Sequence, residues 1–153
     1  VRLLRPAFAL GVAGFFWAFV AGTVCVVALQ GGLPLRTDPL SDARRRALRG
    51  DVAGAARQYR VATLIEPTDL GGLCELGELL ARAGRHDEAL EAFGRALSVR
   101  VDARALAGIG DVMLVRGDHA RAVQAYEQSL KLRPHQPQAE EQLARARAGL
   151  RAR

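Results

Sequence analysis

The sequence predicts an all-α protein, a stack of helical hairpins behind one membrane-crossing helix, and three observations predict it. Ala, Leu and Gly dominate the uncharged residues of a chain that is 50% hydrophobic but only 5% aromatic. That suits short, closely packed helices better than a β-sandwich, which draws on β-branched and aromatic residues. The chain also repeats itself. Gly50, Ala55, Tyr59, Ala62 and Pro67 are followed 34 residues later by Gly84, Ala89, Phe93, Ala96 and Val101, and these 33 residues later by Gly117, Ala122, Tyr126, Ser129 and Pro134. A fixed period of this size marks stacked supersecondary units. The third observation is an apolar run at the N-terminus, Ala7 to Leu29, without a charge or a proline.

That run defines the first element. Its 23 residues would rise about 35 Å as a helix, enough to cross a hydrocarbon core of about 30 Å with modest tilt. Arg2 and Arg5 in the flank 1–6 give it the positive start of a signal sequence. It exceeds the usual secretory core of about 7–15 residues, so it reads as a retained signal anchor. Gly14, Ala18 and Gly22 recur at four-residue spacing. They would form one stripe of small side chains on which two such helices can approach, and so a homodimer contact.

Orientation and source follow from the arginines. Arg36, Arg44, Arg45, Arg46 and Arg49 lie beyond the span, and by simple counting the positive-inside rule would keep the C-terminal part in the cytoplasm. These residues belong to a long domain, however, and long domains translocate largely regardless of charge. The expectation is therefore a cytoplasmic N-terminus and an extracytoplasmic repeat domain, with the cytoplasmic placement as the alternative. The net charge of +6 is carried by Arg, with Lys131 the only lysine. This is the bias of a GC-rich genome, and Val1 fits a non-ATG start, so the expected setting is a bacterial inner membrane. Cys25 falls in the apolar run and Cys74 in a later helix, which argues against a disulfide between them, and neither has metal-ligand spacing to a second Cys or a His.

After a connector, Gln30 to Thr37 (QGGLPLRT), the repeats begin. Gly84 to Val99 (GRHDEALEAFGRALSV) and Gly117 to Pro134 (GDHARAVQAYEQSLKLRP) resemble the second helix of a tetratricopeptide repeat. Upstream, Leu73, Leu76, Gly77 and Leu80 in one copy and Leu106, Ile109, Gly110 and Met113 in the next fill the family's apolar and glycine places, without the tryptophan of its first place. The first copy is weaker, because Asp42 and Arg46 stand where apolar residues belong unless its register slips by one. The resemblance covers 38–134. It implies an α-solenoid of about three helix-turn-helix hairpins (38–69, 70–102 and 103–136) closed by a capping helix over 137–151, whose stripe is Ala139, Leu143, Ala146 and Leu150. Small residues at Gly77, Gly110, Ala89 and Ala122 let paired helices approach, and Phe93 and Tyr126 fill the space between hairpins. Gly84 and Gly117 end first helices, Pro67 and Pro134 stop second ones, and Asp38-Pro39 starts the first.

Function classes narrow in the same way. His86 and His119 occupy equivalent places beside Asp87 and Asp118, but they belong to the turn between paired helices, where the family carries a flat side chain. No phosphate loop, nucleophile elbow or helical zinc motif is present. The sequence therefore predicts neither an enzyme nor a cofactor. The resemblance implies a concave groove lined by first helices, here by Arg44, Cys74, Glu78, Arg82, Arg104, Ala107, Asp111 and Leu114, that takes a protein or peptide partner. Glu78 and Asp111 hold equivalent places and would offer a paired acidic feature to a cation on that partner. The Lys/Asn/Arg set with which some relatives hold a peptide's C-terminal carboxylate is missing. A basic binder of nucleic acid or anionic lipid headgroups is the rival class, on the pI near 10.5. Acidic neighbours beside the arginines and the scarcity of stacking aromatics argue against it.

Overall fold

Aspartate sets where most of the helices start. The computed structural model describes residues 38–152, and among them run α1 (Pro39–Leu48), α2 (Val52–Ile65), α3 (Leu70–Arg82), α4 (His86–Val99), α5 (Ala103–Val115), α6 (His119–Leu132) and α7 (Pro137–Arg151). The side chains of Asp38, Asp51, Asp69, Asp102 and Asp118 each accept hydrogen bonds from backbone N–H groups in the first turn that follows, at 2.8–3.3 Å. Such a cap is worth about 1 kcal/mol. At the other end of α1, α3 and α5 stand Gly50, Gly84 and Gly117 with φ of 80°, 75° and 73°. This left-handed conformation lets the chain reverse at once into the second helix of the hairpin. Proline is not needed to end a second helix, since α4 stops at Val99 with Val101 where Pro67 and Pro134 follow α2 and α6.

Each hairpin pairs its two helices, α1 with α2, α3 with α4 and α5 with α6, and stacks on the next through α2 against α3 and α4 against α5. The first helices α3 and α5 also touch, and α7 packs on α6. This is the expected all-α solenoid of three hairpins and a capping helix. The expected membrane helix over 7–29, with Gly14, Ala18, Gly22 and Cys25, and the linker over 30–37 lie outside the described residues. Among the described residues no helix is long and apolar enough to cross a membrane.

Aromatic rings seated on glycines hold the stack. Phe93, fully buried, lies between two first helices. A Cβ on Gly77 of α3 would stand 2.6 Å from the ring, and one on Gly108 of α5 would overlap its tip. Tyr126 sits in the same way on Gly110, where a Cβ would come within 2.8 Å of its ring. Ala89 and Ala122, one turn before Phe93 and Tyr126, are fully buried, as is Ala55 one turn before Tyr59, which keeps each second helix close to its partner.

The ends of the array differ from its middle. Ala43 is fully buried in the small-residue place that Gly77 and Gly110 fill later, so the first repeat keeps its register. Its apolar contribution comes from Leu40 and Ala47. Asp42 and Arg46 do not need an apolar environment because they pair with each other at 3.1 Å, with Asp51 adding a second carboxylate at 3.3 Å. In α7, Ala139, Leu143 and Ala146 are buried as expected, but Leu150 is 44% exposed, a correction to the four-residue stripe. There Gly149, not a leucine, makes the contact: its missing Cβ leaves room for the His119 ring.

Gly108→Ala should lower stability by about 1–3 kcal/mol, the usual cost of overpacking a filled core. Gly94→Ala, at an exposed helical site with nothing within 4 Å of the new methyl, should raise it by about 0.5–1 kcal/mol through helix propensity. Chemical denaturation followed by circular dichroism measures both, and a Gly108→Ala protein as stable as the parent would remove the wedge from this account.

Candidate functional site: the concave groove

The first helices of the three hairpins lie side by side, so side chains that point away from the second helices line one continuous hollow. A cavity of about 570 Å³ is bounded by Arg44, Leu48, Tyr59 and Glu75 among others, and a larger one of about 800 Å³ by Ala107, Asp111, Val115 and Arg133 among others. Glu78, Arg82 and Arg104 line both, which makes the two cavities one groove.

Charge in this groove is largely cancelled from one repeat to the next. Arg44 of α1 reaches Glu75 of α3 with Nε and Nη2, both at 2.8 Å, and Arg104 of α5 grips Glu78 of α3 with the same two-nitrogen geometry, Nη2 at 2.8 Å. The Tyr59 hydroxyl donates to Glu75 Oε2 at 3.0 Å, and the Tyr126 hydroxyl to Asp111 Oδ1 at 2.5 Å. The pairs are partly exposed, so each contributes at most about 1 kcal/mol to stability. The planar fork fixes angle as well as distance, so it also sets how one first helix lies against the next.

The carboxyl groups titrate differently as a result. Loss of water around Glu75 would raise its pKa, but hydrogen bonds from Arg44 and Tyr59 outweigh this and hold it below the ordinary carboxylate range. Among the described residues Asp111 forms no ion pair. Desolvation raises its pKa, the Tyr126 hydrogen bond only partly offsets that, and the charge of Glu78 adds to the rise. Burial and the Glu75 charge push the Tyr59 phenol up to about 12, and burial with the Asp111 hydrogen bond raises Tyr126 as well. The Glu78 hydrogen bond raises Arg104 above its ordinary value.

Of the eight predicted groove residues, Arg44, Glu78, Arg82, Arg104, Ala107 and Asp111 line the hollow. Two do not. Cys74 is 1% exposed, a core residue whose thiol burial pushes up to about 11, which disfavours the reactive thiolate. Leu114 is half-buried against the cluster formed by Tyr126, Leu143 and Ala146. The paired acidic feature also needs correction, because Arg104, 26 residues on, already occupies Glu78, leaving Asp111 as the one groove carboxylate without an arginine partner among the described residues.

The sequence reading missed Glu75, which gathers Arg44 and Tyr59, and Gly108, which seats Phe93. The signal for Gly108 was present. A second glycine two residues before Gly110 costs a helix about 1 kcal/mol, so it needs a packing reason. Leu48 and Val115 on the groove rim were missed as well. His86 and His119 each bury an Nδ1 with no hydrogen-bond partner. Among the described residues, no group of three or more His, Cys, Asp or Glu is placed to hold a metal ion.

Comparison with known proteins agrees with this architecture. Residues 74–137, spanning the second and third hairpins, match the family model described as Tetratricopeptide repeat, which supports that family for the array. No curated protein sequence matches the chain significantly. Among solved structures, the TPR domain of Sgt2 from Aspergillus fumigatus is similar with a TM-score of 0.71 at 19% identity, over 77% of this chain and 80% of that one. The second TPR domain of the human RPAP3 protein, in complex with an HSP70 peptide, gives 0.68 at 17% identity over 72% and 92%. The crystal structure of MamA gives 0.66 at 19% identity over 71% of this chain, which spans 64% of MamA. At these identities the likeness is one of fold.

The two carboxyl shifts have opposite consequences for stability. Asp111, raised in the folded protein, contributes fully below the ordinary Asp pKa of about 4 and loses that contribution as pH rises through the folded value. Glu75, lowered, contributes above the ordinary Glu pKa and loses it as pH falls through the folded value. Thermal melts across pH should therefore show the parent losing ground to Asp111→Asn as pH rises from about 4 and losing ground to Glu75→Gln as pH falls below it. Parallel curves for parent and variants would contradict the assignment.

Proposed function

We propose that the chain is a membrane-tethered scaffold or assembly factor that holds a segment of a partner protein in the groove of α1, α3 and α5. The observation that carries this reading is the groove's continuity across three repeats, with its floor neutralised by its own ion pairs and its rim open. A surface so arranged has no evident reaction to perform, but it can accept a chain laid across it. Solved arrays of this fold, such as the RPAP3 domain with its HSP70 peptide, support the same kind of use.

The tether rests on the sequence. Ala7 to Leu29 crosses the membrane as a signal anchor, 30–37 is the linker, 38–134 the three repeats and 137–151 the cap. The Arg-rich composition favours a bacterial inner membrane, with the repeats on the extracytoplasmic side. Gly14, Ala18 and Gly22 pair two copies within the bilayer. A role for the net positive charge in gripping nucleic acid or anionic lipid is weaker. Among the described residues Arg44, Arg46, Arg60, Arg104, Arg116 and Arg147 already pair with carboxylates of other helices or turns, which leaves less of the positive charge free for such a partner.

A photo-crosslinking side chain at Ala107, in the groove, should give a discrete adduct in cells, whereas the same group at Glu91 of α4, away from the groove, should not. Equal labelling from both sites, or none from Ala107, would remove the groove from the function. For the tether, a C-terminal tag should be cleaved by protease added outside an intact inner membrane. Protection until the membrane is dissolved would place the repeats in the cytoplasm.

A further inference from the structure

The last residues of the three first helices, Leu48, Arg82 and Val115, are repeat equivalents 34 and 33 residues apart. All three line the groove. Leu48 is 89% and Val115 69% exposed. Arg82 between them lines both cavities. Among the described residues its side chain makes one hydrogen bond, from Nε to the Glu78 carbonyl oxygen at 3.3 Å. Among the described residues no carboxylate pairs with it, in contrast to Arg44 and Arg104, whose charge is spent on Glu75 and Glu78. The rim therefore reads aliphatic, cationic, aliphatic along the array, with the positive charge uncompensated.

Resting on the groove reading above, we propose that the occupant is a partner segment in the extended polyproline II conformation, with an acidic side chain at its centre and an aliphatic one three residues away on each side. Neighbouring packed helices stand about 8–10 Å apart, and a polyproline II chain advances about 3.1 Å per residue with three residues per turn, so side chains three apart share one face. Three residues therefore carry the ligand from one repeat to the next. The acidic group meets Arg82 while the aliphatic groups cover Leu48 and Val115, and because the pattern reads the same in both directions it holds for either chain polarity. An extended ligand also brings unsatisfied main-chain N–H and C=O groups, and the groove supplies partners for them in Asp111, Gln136 and Gln138. A helical ligand satisfies its own main chain and would need two turns per repeat.

The test uses the full chain in lipid nanodiscs and two fluorescent heptapeptides with blocked ends, LSSESSL and LSSKSSL, read by anisotropy. The acidic peptide should bind saturably and at least about fivefold more tightly than the lysine peptide, the scale of one partly exposed ion pair. Arg82→Gln should erase the preference and Arg82→Glu reverse it. Arg82→Gln should leave the thermal melt close to the parent's, since Arg82 is exposed and makes no ion pair among the described residues, whereas Arg82→Glu should lower it slightly because it sets a negative charge at the C-terminal end of α3 and one turn from Glu78. Equal affinity for the two peptides, a preference unmoved in Arg82→Glu, or no binding at about 1 mM would overturn the proposal. If the Ala107 crosslink still forms in that case, the groove reading stands and only the ligand pattern fails. If the crosslink fails too, both do.

Discussion

The architecture depends on one steric constraint, an aromatic ring wedged where two helices carry no side chain. Phe93 occupies the space that Cβ atoms on Gly77 and Gly108 would take, so α3 and α5 can both close on the same ring. Close approach of these helices makes the hollow continuous and brings Arg104 within reach of Glu78. A larger residue at either glycine would move the helices apart, and the groove's charge pairing would change with them. Dispersion and burial supply the energy of the wedge, because an interior packed to crystal density loses attraction quickly when a gap opens.

Electrostatics then acts as a fine adjustment on that frame. Arg44 with Glu75 and Arg104 with Glu78 bind each first helix to the next, and Tyr59 and Tyr126 lend hydroxyls to the same line of carboxylates. Phe93, equivalent to both tyrosines, has no hydroxyl, which suits a ring whose edge faces Gly108 and not a carboxylate. The groove so formed has little free charge on its floor. What it can discriminate lies with Arg82, Asp111 and the aliphatic rim.

Most of the fold was legible because its signals are local and repeated. Aspartate caps, glycines in the left-handed region, and small residues at fixed offsets each act within a few residues, and three copies reinforce one another. The site was less legible, because groove chemistry is decided between repeats. Nothing near Glu78 in the sequence announces that Arg104 will neutralise it, and position alone could not separate Cys74, which points into the core, from Ala107, its equivalent one repeat later that borders the hollow. The weak first repeat is the converse case. Asp42 and Arg46 suggested a register slip, yet Ala43 holds the register and the two charges answer each other.

Those two charges also bear on how copies of the chain meet. A solenoid is a heterologous stack in principle, able to add units at either end and so to grow into a fibre. Here the opening helix presents Asp42 and Arg46 where an apolar stripe would invite another hairpin, and the closing helix presents Glu140, Glu141, Arg145 and Arg147 on its outer side. Among the described residues, charge therefore stands at both ends of the array where a further hairpin would dock, which disfavours end-to-end stacking of one copy on another and favours a contact made through the groove instead.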